Sequence, residues 1–194
     1  MTNTTTPNAL GCAAQLCRYT AAVLAQMASV IQPYLGARRP DYAAHVGAHI
    51  RHIIEHYDTL AKALTLDRSD LLAAHVADYD ARVRSLELEG DPSQALKRIA
   101  LIDAVFGERA GLTDAAMLHA VHVYTRGGLA GEYNFCTPSS LAREIMFLNS
   151  HATHHFAILQ GYARERGQTL GAGVGKAPAT VAHEQQLVKS RVAA

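Results

Sequence analysis

Charge of one sign never accumulates in this sequence: 18 Lys and Arg stand against 17 Asp and Glu, spread along 194 residues. The basic patch or stripe of a nucleic-acid binder is missing, which argues against binding to phosphate backbones. Cysteine is scarce as well. Cys12, Cys17 and Cys136 are odd in number and follow neither a CxxC nor a disulfide-framework spacing. That excludes a disulfide-stapled secreted fold and fits a reducing cytoplasm. No apolar run reaches the roughly 18 residues that would span a bilayer, and the opening MTNTTTPN lacks the basic and then apolar regions of a signal peptide. The expectation is a soluble cytoplasmic protein with neither nucleic acid nor membrane as a partner.

What the chain does have is apolar content and histidine. Hydrophobic residues make up 49% of the chain, enough to bury a sizeable core in one domain. There are 11 histidines, and seven of them fall within 45–56 and 151–155. Histidine is the commonest metal ligand and the side chain that titrates near neutrality, so this clustering needs a cause.

Residues 1–8 are polar and Thr-rich and are expected to be disordered. From Ala9 to about Gln32, apolar residues at helical spacing predict a first helix, stopped by Pro33 and Gly36. A second, carrying four histidines, is predicted from about Tyr42 to Leu66. The stretch from Asp67 to Ser93 reads as a connection with some helical content running toward Leu88. Asp91 followed by Pro92 is an N-cap and a first-turn proline, opening a third long helix that runs to about Gly111. MLHAVHVYT and GEYNFCT, separated by RGGLA, predict a small β-hairpin with Cys136 near its end. TPSS then caps a last long helix that Gly167 terminates, and residues 171–194 read as an irregular tail. Short connections favour antiparallel neighbours, so the fold class is all-α, an antiparallel four-helix bundle over 9–170.

With His49 at zero on a helical wheel, His45, His52 and His56 fall at roughly 320°, 300° and 340°, one narrow stripe beside Ile50, Ile53 and Tyr57. In the last helix Glu144, His151 and His155 share a comparable face beside Leu148, Ala152 and Leu159. The pair His151 and His155, at i and i+4, puts two imidazoles one turn apart, near enough for one ion at the roughly 2.0–2.1 Å of zinc–nitrogen bonds. A third imidazole must come from the stripe of the second helix. Three protein nitrogens leave positions open for water or substrate, as in catalytic sites.

GAHIRHIIEHYD, YDARVRSLE, SSLAREIMFLNSHATHHFAIL and GKAPAT, in that order over about 45–180, resemble the DinB-like superfamily, in particular a bacterial branch with HxRHxxEH and SHxxHH motifs. The resemblance implies a four-helix bundle with a three-histidine site for one divalent ion, nickel or zinc first, with iron or manganese as alternatives. Carried over, His151 and His155 match the paired ligands and His52 the single one, with His49 and His56 on the same stripe. Some relatives are thiol-dependent transferases or isomerases, which implies a small-molecule substrate, a low-molecular-weight thiol and, as in related bundles, a homodimer. The alternative is a noncatalytic metal-binding or stress-related bundle whose histidines are structural or sensory.

Other residues carry weaker signals. His154 turns about 60° away from His151 on the wheel and is expected outside the ligand set. Glu144 can orient an imidazole or pair with an arginine. Glu55 reads as a solvated charge. Tyr79, Asp80, Arg82 and Arg84 can bind an anionic substrate, Tyr79 and Arg82 above all, or tie the connection to the bundle. Cys12 and Cys17 read as packing residues.

Overall fold

The computed structural model describes residues 11–65 and 75–192. In chain order these form α1 (Cys12–Ile31), α2 (Arg39–His45), α3 (Gly47–Thr65), β1 (His75–Asp78), α4 (Leu86–Gly90), α5 (Pro92–Phe106), α6 (Asp114–Met117), β2 (Ala120–Gly127), β3 (Tyr133–Ser140), α7 (Leu141–Glu165) and α8 (Pro178–Val192). The chain is therefore mostly helical with one small sheet. Among the described residues no helix is long and apolar enough to cross a membrane. The expectations for residues 1–8, for the start at Ala9 and for the end at Leu66 lie outside the described residues.

The capping chemistry sets the long helices. Asp91 accepts the Ser93 N–H at 2.8 Å ahead of Pro92, and Ser140 accepts the Arg143 N–H, opening α5 and α7. Gly167, at φ 65°, takes the left-handed turn that follows α7. Four helices enclose the core. α1 and α3 each pack against both α5 and α7, and Met27, Ile31, Ile50, Ile53, Tyr57, Phe106 and Phe156 are essentially inaccessible between them.

The bundle is not antiparallel throughout. Arg51 meets Glu89 near the start of both α3 and α5, while Tyr57 meets Phe106 further along, so these two helices run the same way. α3 and α7 run opposite ways, His49 lying against His155 and Tyr57 against Asn149. The antiparallel expectation assumed short connections. The described crossover, residues 75–91, instead brings α4 back to the beginning of α3.

The same crossover breaks the second predicted helix. Tyr42 donates its hydroxyl to the Leu88 carbonyl at 2.9 Å, and a Cβ on Gly47 would stand 1.9 Å from the Glu89 carbonyl oxygen. Only glycine admits α4 so closely, and the helix divides there into α2 and α3. His45 is left on α2, exposed, with its Nδ1 3.1 Å from the Arg166 guanidinium, outside the stripe.

Three further boundaries differ. α5 stops at Phe106, because Gly107 turns the chain into a short 3₁₀ segment before Gly111. The sheet is three-stranded rather than a two-stranded hairpin: β2 pairs antiparallel with β3, and β1 adds parallel to β2, His75 beside Val121 and Asp78 beside Tyr124. β1 is four residues long, with a partner far along the chain, so no local pattern marks it. The tail is not irregular throughout, since α8 starts at Pro178. Leu187 and Val188 of α8 are exposed, so no apolar face announced it. Cys17 is buried as expected, but Cys12 is exposed, and Cys136 lies exposed within β3, which continues to Ser140.

Candidate metal centre

The antiparallel pairing of α3 with α7 brings the two histidine faces into register. His52 Nε2 lies 2.9 Å from His151 Nε2, and the rings of His52 and His155 are 4.8 Å apart. One ring nitrogen from each of His52, His151 and His155 lies within 4.8 Å of the others, and all three side chains are half-buried. These three can hold a metal ion. They are the paired residues of the last helix and the second-helix residue that the family resemblance selects.

The other stripe residues surround this triad. His49 Nδ1 is 2.8 Å from His155 Nδ1, behind the triad and beside Tyr162. His56 is buried, donates its Nδ1–H to the His52 carbonyl at 2.7 Å and stacks on Tyr79 at 5.3 Å. His154 is exposed and touches only the edge of His155 within this cluster.

Arg82 determines which nitrogen of His52 carries the proton. Its Nη1 lies 2.6 Å from His52 Nδ1, and a guanidinium only donates, so Nδ1 accepts and the ring proton sits on Nε2, directed at His151. Arg82 also donates from Nε to the Tyr79 carbonyl at 2.9 Å. Behind it lies Glu55, 4% exposed, which accepts the Ser85 N–H at 2.7 Å. Glu55 is therefore no solvated charge: the 82–85 segment of the crossover covers the face that the wheel left open. Its Oε2 has no hydrogen-bond partner and stands 3.9 Å from Arg82 Nη1.

Glu144 neither orients an imidazole nor pairs with an arginine. It is buried, and its two oxygens accept the hydroxyls of Tyr79 at 2.9 Å and Ser139 at 2.5 Å. Burial and this carboxylate push the Tyr79 phenol well above its ordinary range. Asp80 accepts the Arg126 N–H at 2.6 Å, tying the crossover to the sheet.

A pocket of about 890 Å³ opens on one side of the triad, with His52, His56 and His151 at its inner end and Tyr79, Arg82, Phe147, Arg143 and the β3 residues Thr137–Ser140 in its walls. Tyr79 and Arg82 thus face the pocket. Arg143 and Phe147 were missed in the sequence, although they lie eight and four residues before His151 and so share its face.

Burial, then the neighbouring His56 and Arg82, lower the His52 pKa to about 3. Burial first and neighbouring histidines next take His155 to about 3 and His151 to about 4, and His49 and His56 are lowered as well. The triad is consequently neutral at physiological pH and ready to donate lone pairs. In the unfolded chain each imidazole titrates near 6.5, so below that value the unfolded state binds more protons. The stabilising contribution is complete above about pH 6.5 and is lost as pH falls toward the folded values of 3 to 4. Metal-free protein is expected to show a urea midpoint that declines steadily from pH 7 to pH 4.5. The triple variant H52Q/H151Q/H155Q should lose much of that decline, and an identical decline in the variant would refute the assignment.

No family model matches the chain, and no solved structure matches it. Among curated proteins, 109 residues, 56% of this chain, are 28% identical to a protein of Rhizopus delemar (strain RA 99-880) named FK506-binding protein 5. The chain spans 27% of that protein's length.

Proposed function

We propose that this protein is a divalent-metal-dependent enzyme of the DinB-like superfamily, acting in thiol-dependent transfer to, or hydrolysis of, a small electrophile. The observation that carries the reading is three converging, neutral imidazoles, two of which, His52 and His151, line an open pocket. The donor set fits such an ion: nitrogen ligands from two rigid helices, with His49 and His56 outside the converging set, so the protein supplies three ligands. Imidazole suits nickel and zinc, and also iron. A divalent ion held by His52, His151 and His155 supplies Lewis acidity, which favours the anionic form of a thiol or water at neutral pH.

The chain's own residues do the rest. The Nε2 proton of His52 must leave for that nitrogen to act as a ligand, and if it moves to Nδ1, Arg82 no longer finds an acceptor there. Glu55 Oε2, buried and unpartnered 3.9 Å away, offers Arg82 its alternative. Tyr79 and Ser139, fixed by Glu144, present ordered polar groups on the pocket wall beside Phe147.

The test is a screen of purified, tag-free protein loaded with nickel or zinc against thiol–electrophile pairs and small esters. Metal-dependent turnover that H151A abolishes is the expected result. Full activity in metal-free protein would overturn the reading.

A further inference from the structure

Arg143, Phe147 and His151 of α7 all line the same pocket at four-residue spacing. At 1.5 Å rise per residue they are set at intervals of about 6 Å, so Arg143 and His151 are about 12 Å apart along the helix axis. Phe147 lies between them, stacked on the His151 ring at 5.6 Å and packed against Tyr79 at 5.7 Å. The floor of the pocket is therefore a strip with histidine at one end, an aromatic face in the middle and a guanidinium at the other end.

The charges on the pocket wall are unequally engaged. Both oxygens of Glu144 accept hydroxyl protons, and Asp80 accepts the Arg126 N–H. Arg82 is committed to the Tyr79 carbonyl and to His52. Arg143 is exposed, and among the described residues no carboxylate lies within 4.0 Å of its side chain. The outer end of the pocket thus offers a cation whose fork of donors is open, whereas the buried acid Glu144 is satisfied at both oxygens and Asp80 Oδ2 is engaged by the Arg126 N–H.

We infer that the pocket takes a small molecule bearing a carboxylate, joined through an apolar spacer to the group presented at the histidines. The carboxylate pairs with the Arg143 guanidinium, a fork geometry suited to two parallel hydrogen bonds. The spacer lies over Phe147. This inference rests on the proposed metal-dependent reading only for the group at the histidine end.

Calorimetric titration of the full chain with 6-mercaptohexanoate and with 6-mercaptohexanamide, in zinc-loaded and metal-free forms, tests it. The acid is expected to bind about tenfold more tightly than the amide, the worth of a charge-assisted pair. Arg143→Gln should bring that ratio close to one, Arg143→Lys should keep part of it, and Phe147→Ala should weaken acid and amide alike. Circular dichroism and thermal melts establish that each variant is folded. Equal binding of acid and amide to the wild type in both forms, or an unchanged ratio in folded Arg143→Gln, overturns the inference. If zinc adds nothing to binding while the acid keeps its advantage, the metal-dependent reading falls and the carboxylate subsite stands.

Discussion

Replacing His155 with alanine is expected to reduce zinc or nickel affinity by more than the roughly 10–100-fold that loss of a residue merely supporting a ligand costs. The side chain contributes one of the three converging nitrogens, and its Nδ1 lies against His49, which leaves Nε2 for an ion. His151→Ala should behave the same way, since its Nε2 is the atom that faces His52. His154→Ala is the internal control: the residue is exposed on the same helix and lies outside the triad, so metal affinity should stay near that of the wild type. Metal content measured by elemental analysis after purification without a tag or chelator, followed by competition with a chromophoric chelator, reads all three. Equal affinities in the His154 and His155 variants would remove the triad from consideration as a metal centre.

The contrast between His154 and His155 also shows what the sequence could reveal. A helix has a known angular repeat, so the faces of α3 and α7 were legible residue by residue, and His151 and His155 could be paired before any fold was known. Which second-helix residue opposed them was not legible from the wheel, and only the family resemblance pointed to His52 among His49, His52 and His56. That depends on the axial register of α3 against α7, which the packing of Tyr57 and Asn149 settles across the core. Glu55 illustrates the complementary failure. The wheel places it beside His52, but whether that side meets water depends on the crossover, whose Arg82 and Ser85 fold over it. The caps at Asp91 and Ser140 were local signals and could be read directly. The parallel course of α3 and α5, the break at Gly47 and strand β1 all come from that crossover's return, a non-local event without a local pattern.

Asn149→Ala is expected to destabilise the fold by about 3 kcal/mol, the stranding of the buried Tyr57 hydroxyl at about 1–3 kcal/mol together with the cavity that alanine leaves. Asn149 is fully buried in α7. Its Oδ1 accepts the Tyr57 hydroxyl of α3 at 2.7 Å, and its Nδ2 donates to Thr20 Oγ1 of α1 at 3.0 Å. Thr20 Oγ1 in turn donates to the Leu16 carbonyl at 2.9 Å. One side chain thereby links three helices, and alanine leaves the Tyr57 hydroxyl with no acceptor in a site that already pushes its pKa upward. Asn149→Leu restores bulk but not hydrogen bonding, so it separates the two contributions: a loss equal to that of alanine assigns the cost to the polar network, whereas recovery to near wild type assigns it to the cavity. Because Asn149 lies two residues before His151, the variants should also be titrated with zinc. If the Asn149–Tyr57 bond holds α7 in register with α3, a folded Asn149→Leu protein will bind zinc more weakly than wild type although every ligand is present. Unchanged affinity together with lowered stability would show that the register is held by the apolar core alone.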